Sequence, residues 1–176
     1  MDIRSVIRAA TLWCILFFPA STLPQSTNTS QEIKADPVNQ YEAHGYVNDF
    51  AGIIGPRFQS QLEVISKDLD RKTKTQLAIV TVASLEGLEI KDFATKLANR
   101  WGVGHKDTNR GILVLLAAKE RQYRISVGLG LESVLSDKDV DRLGKEMIPM
   151  LRTGSFGTAL LHLAKRLQVE LPPKLK

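Results

Sequence analysis

Two short apolar runs, TQLAIVTV at residues 75–82 and GILVLLAA at 111–118, constrain this chain more than any other feature of it. Each has the length of a strand, is bounded by turn-forming residues and scarcely alternates, as a strand covered on both faces reads. The chain also carries the helices that such a sheet needs. Phe58, Leu62, Ile65 and Leu69 recur at helical spacing after Pro56, a residue suited to a first helical position. Ile90, Phe93, Leu97 and Trp101 form a second stripe, and Val140, Leu143 and Met147 a third. Ala159, Leu160, Leu163, Ala164 and Leu167 form a fourth, after a break at Gly154–Gly157. A polar turn from Lys119 joins the second apolar run to the alternating segment YRISVG from Tyr123, so these two strands are expected as an antiparallel hairpin. The fold class is α/β, a three-layer arrangement with helices covering a central sheet. Strand order does not follow from this pattern.

A length of 176 residues suits one domain. Residues 1–22 have the form of a secretory signal: Arg4 and Arg8, an apolar run over 9–18, then the small residues Ala20, Ser21 and Thr22. The run is short for a membrane span, which takes about 20 residues; an uncleaved signal anchor is the alternative. Residues 23–40 are rich in Pro, Ser, Thr, Asn and Gln and are expected as a flexible linker. The domain is expected over 41–171, with a tail at 172–176. The one cysteine, Cys14, lies in the signal, so the exported chain has no thiol for disulfides, zinc or nucleophilic catalysis. The net charge of +5 is scattered apart from Arg71, Lys72 and Lys74. It reads as a solvated surface, and export argues against nucleic acid as a partner. The exported chain is expected in the periplasm or secreted, as a monomer without a transmembrane helix.

Three loops hold the candidate chemistry. In the first, Gly45–Gly52, Asn48 and Asp49 precede a helix; a turn in which they bond their own backbone is the plain reading, and oxygen ligation the sharper one. The second runs from Trp101 to Gly111 and contains His105, Asp107, Asn109 and Arg110. A lone loop histidine is usually solvated, but the length of this connection points to a role. In the third, Gly128 and Gly130 permit positive φ or a close approach of backbone, without the third glycine of a dinucleotide fingerprint. Ser136 with Asp139 reads as a capping box, and Asp137 opposes the helix dipole. Glu132 has no such structural explanation. If the three loops meet at one edge of the sheet, Asp49, Glu132 and Asp137 offer a hard cation such as Ca²⁺ or Mg²⁺ its oxygen ligands. No Walker motif, nucleophile elbow or paired-histidine site occurs.

The segments YVNDFAGIIG from Tyr46, WGVGHK from Trp101 with GILVLLA from Gly111, and RISVGLGLESVLSD from Arg124 resemble the TPM domain family in order and spacing. The resemblance covers roughly residues 41–168, nearly the whole of the exported chain. It implies an α/β sandwich with a mixed central sheet, in proteins exported from bacteria or held in the thylakoid lumen. It further implies divalent-cation binding, weak acid phosphatase activity, and a part in assembling or maintaining membrane complexes. By the same resemblance the aspartate of the Val-Asn-Asp motif is Asp49, and the acidic loop residues are Glu132 and Asp137.

Three functions remain open from the residues. A cation-dependent phosphatase would use the three carboxylates, with Arg124 as a phosphate clamp. A cell-envelope interaction module would use a bound cation only to order its loops, and the lack of a clear nucleophile or general base favours it. The third is an acidic cluster with turn and cap roles alone. A deep pocket lined by the carboxylates would favour the phosphatase; a flat rim with exposed apolar residues would favour the module.

Overall fold

The computed structural model describes residues 36–175. The expected signal and most of the expected linker lie outside them. Strand β1 (Val47–Asp49) leads into helix α1 (Pro56–Thr73), then β2 (Gln76–Val82), α2 (Ile90–Trp101), β3 (Gly111–Ala117) and β4 (Gln122–Val127). Helices α3 (Asp137–Arg152) and α4 (Phe156–Lys174) complete the order. The sheet runs β1-β2-β3-β4, with β1, β2 and β3 parallel and β4 antiparallel to β3. The expected fold class holds: a mixed sheet lies between helical layers.

Alternation along the central strands builds two cores. Leu77, Ile79, Ile112, Val114 and Leu116 face α1, α3 and α4, where they meet Leu62, Leu69, Leu143, Leu160 and Leu163. Ala78, Val80, Val82, Leu113 and Leu115 face the other way, onto Phe93, Ala94 and Leu97 of α2. The crossovers β1-α1-β2 and β2-α2-β3 step the same way across the sheet, yet their helices cover opposite faces. They therefore differ in hand, and one is a left-handed crossover, a form found in only about 2% of such connections.

Three expectations change. Residues 47–49 form an edge strand rather than a turn, because Val47, Asn48 and Asp49 pair in register with Ile79, Val80 and Thr81. The end of the expected linker is folded: Pro37–Gln40 form a 3-10 turn with Val38 only 4% exposed in the α2-side core. Lys96 holds Asp36 at 2.7 Å, and the Trp101 indole N–H donates to the Tyr41 carbonyl, fastening this turn to α2. At the other end α4 runs on to Lys174 through the expected tail, with Leu171 buried and Lys174 Nζ donating to the Val134 carbonyl.

Candidate functional site

Asp49 stands at the end of β1 with its carboxylate fully engaged. Oδ1 accepts from the Ile53 N–H at 3.0 Å and the Thr81 hydroxyl at 2.5 Å. Oδ2 accepts from the Ile54 N–H at 3.0 Å and Gln59 Nε2 at 2.9 Å. Burial pushes its pKa up, but the donors from Thr81, Ile54, Ile53 and Gln59 outweigh that and hold it below the ordinary value. A carboxylate has about four lone-pair positions, so little acceptor capacity is left for a ligand.

Glu132 and Asp137 lie elsewhere. Asp49 shares a register row with Thr81, Leu116 and Tyr123, whereas the glycine loop begins at Gly128, whose N–H donates to the Gly111 carbonyl. From one row to the other is roughly 16 Å along the strands, and from β1 to β4 about 14 Å across them. The three expected ligands thus occupy opposite corners of the sheet. Fold topology decides this, because β4 returns antiparallel and carries its loop to the end of the sheet away from Asp49.

Around Glu132 and Asp137 is a groove of about 910 Å³ that follows β4 from Tyr123 to Val127. Thr95 of α2 lines one side of it, and Asp137, Val140 and Asp141 of α3 the other. Arg124, Ser126 and Ser136 add polar groups, and Arg124, Glu132 and Asp137 are exposed to solvent. A smaller cleft of about 290 Å³ shares Thr95, Ser126 and Val127 with it and extends to Leu129, an apolar side chain 74% exposed. Asp141 is paired with Lys145 at 2.6 Å, and Ser136 is spent on the capping box with Asp139.

The glycines have a structural use that differs from ligand approach. A Cβ at Gly128 would run into the Asn109 carbonyl oxygen, and one at Gly130 into that of Thr108. These residues let the 128–131 loop dock backbone to backbone on the loop before β3. His105 is not merely solvated either. Its Nε2 lies 2.5 Å from Asp70 Oδ1, and Tyr46 donates its hydroxyl to Asp70 Oδ2 at 2.7 Å. That hydrogen bond to Asp70, with burial, pushes the Tyr46 phenol up to about 12. Burial raises Asp70, yet the bonds from His105 and Tyr46 leave it below its ordinary value. Sequence spacing holds no signal for this cluster, whose members are brought together by α1.

The chain matches the TPM domain over residues 47–170. It belongs to the TPM domain family. A chloroplastic UPF0603 protein of Arabidopsis thaliana is 25% identical over 124 residues, which are 69% of this chain and 44% of the plant protein. The chain therefore spans less than half the length of that relative. The solution structure of the N-terminal domain of a protein from P. gingivalis is 28% identical with a TM-score of 0.69, over 78% of this chain and 88% of that one. The N-terminal domain of a Corynebacterium glutamicum protein shares the fold at 17% identity and a TM-score of 0.60, over 74% of this chain and 82% of that one.

Within this TPM domain the expected three-carboxylate cation site does not assemble. Asp49 is distant and saturated, Asp141 is neutralised by Lys145, and Glu132 and Asp137 remain as a pair on an open groove. Among the described residues no three His, Cys, Asp or Glu side chains converge as metal ligands do. Among the same residues no helix is long and apolar enough to cross a membrane.

Proposed function

We propose that this TPM domain is an interaction module of the cell envelope whose working surface is the groove beside β4. One observation carries the reading: the groove presents solvent-reachable charges, Arg124, Glu132 and Asp137, and the cleft adjoining it exposes the apolar Leu129, along the edge strand of the sheet. Specific protein recognition uses such a mixture of apolar contact and oriented polar groups. Among the described residues none of the groove's hydroxyls is bonded to a histidine or to an unengaged carboxylate, so a nucleophile with its base is not assembled there. Placement in the envelope rests on the signal-like pattern of residues 1–22.

A weak phosphomonoesterase is the second reading. It is favoured by Arg124 lying in the same groove as Glu132 and Asp137, since a guanidinium suits phosphoryl oxygens. One experiment separates the two: assay of the full chain with p-nitrophenyl phosphate, with and without Ca²⁺ and Mg²⁺, beside calorimetric titration of each cation. The module reading expects no turnover above blank and a cation affinity no tighter than about 10⁻⁴ M, as for open extracellular sites. Cation-dependent turnover lost in Arg124→Ala would replace it with the enzyme reading.

A further inference from the structure

We infer that β4 takes up an extended, basic segment of a partner protein as an additional strand of the sheet. The inference rests on the interaction-module reading and says what the module binds. Gly128 donates to Gly111, so the residues of β4 that bond β3 are Gly128, Ser126, Arg124 and Gln122. The parallel ladder on the other side of β3 agrees, since Ala118 donates to Val82 while Gln76 donates to Arg110. The N–H and C=O groups of Tyr123, Ile125 and Val127 therefore point outward, into the groove. Among the described residues no hydrogen bond engages them.

An open edge of this kind is a template for another strand, and proteins usually block one with proline, a bulge or a covering segment. Here the β3–β4 register is continuous from Ile112–Val127 to Ala117–Gln122, and β4 contains no proline. The flanking helices leave a channel, with Thr95 on one side and Val140 on the other, so the edge is both open and walled. Main-chain bonds would supply affinity in such a mode, and side-chain contacts its specificity.

The charges choose the occupant. Asp141 is paired with Lys145, but Glu132 and Asp137 line the groove with Arg124 as the cation among its lining residues, and among the described residues Glu132 and Asp137 enter no salt bridge. A segment with lysine or arginine at alternate positions meets these carboxylates, while its apolar positions can reach Leu129. A second copy of this chain fits poorly, because pairing β4 with β4 would set one acidic wall against another. The chain's own residues 23–35 carry Glu32 and Lys34 and so have no positive excess.

The test is amide-resolved hydrogen exchange on the ¹⁵N-labelled full chain. The probes are a short peptide alternating Lys with Val and Thr, its counterpart with Glu for Lys, and the Lys peptide N-methylated along one edge. The Lys peptide is expected to slow exchange at Tyr123, Ile125 and Val127 by about tenfold or more, with the β1 amides unaffected. The Glu peptide and the N-methylated peptide should give no protection. Glu132→Lys with Asp137→Lys, both at exposed positions, should reverse the charge preference; Val127→Pro should abolish protection by either peptide. Equal protection by both charged peptides, or by the N-methylated one, overturns the inference. So does protection without peptide that grows with protein concentration, which would mean self-pairing, or that disappears when residues 23–35 are deleted, which would mean the chain's own segment. A domain with neither peptide protection nor phosphatase turnover keeps the module reading and loses only this one.

Discussion

The two edges of the sheet are treated in opposite ways. β1 is three residues long and has side-chain and turn partners on its outward side: Glu63 accepts the Val47 N–H at 2.8 Å, and the Asp49 carbonyl accepts from Gly52. Asn48 ties the approach to β1 by accepting from the His44 N–H and donating to the Gly45 carbonyl. β4 has six residues and faces a groove with its outward peptide groups unused. The contrast assigns the acidic residues to different tasks. Near β1 a carboxylate organises the chain, and near β4 carboxylates face outward where a ligand can reach them.

The largest effect should come from Asp49→Ala. It leaves two backbone N–H groups, a buried hydroxyl and an amide without their acceptor, and a cost of about 3 kcal/mol is expected in chemical denaturation. A loss below about 1 kcal/mol would mean that β1 does not depend on its carboxylate. The pH dependence follows from the sign of the shift. The folded pKa of Asp49 lies below its ordinary 3.8, so its contribution is complete above that pH and is lost as pH falls through the lower folded value. The acid limb of the stability curve below pH 3.8 should flatten in the variant.

Asp70→Asn comes next, at about 1–2 kcal/mol, since it weakens the ties to both Tyr46 and His105. Its clearest readout is spectroscopic. The Tyr46 phenol should return from about 12 toward its ordinary 10 in an ultraviolet titration, and no change would remove Asp70 as the cause.

The legible and illegible parts of this molecule divide along the same line. Core helices and strands were readable because their signal is local: Leu62 and Leu69, Phe93 and Leu97, and Leu160 and Leu163 repeat within one element. The hairpin was readable because its turn is short. β1 was not, because residues 47–49 are extended through pairing with Ile79, Val80 and Thr81, some thirty positions away. The plain turn reading of Asp49 came close, since its bonds to Ile53 and Ile54 order the loop before α1. The supposed meeting of Asp49 with Glu132 and Asp137 failed for a topological reason. Residue types and loop positions do not specify which corner of a sheet a loop occupies; strand order and direction do.

Glu63→Ala sharpens the contrast by opening the closed edge. The Val47 N–H loses its acceptor, at a cost of about 1 kcal/mol. Its amide exchange should rise toward that of Val127 in the free protein. Exchange that stays slow would mean that something other than Glu63 closes this edge.

The smallest effect on stability is expected from Glu132→Gln and Asp137→Asn, both on the open side. Asp137 faces the positive end of the α3 dipole, so its neutral variant should lose no more than about 0.5 kcal/mol, and Glu132→Gln less. These substitutions should nevertheless remove most of the groove's preference for a basic peptide over an acidic one. The pairing of a small stability change with a large change in recognition is what separates the two edges. If instead both variants melted as low as Asp49→Ala, the acidic residues beside β4 would be structural too. The open edge would then need another explanation than recognition.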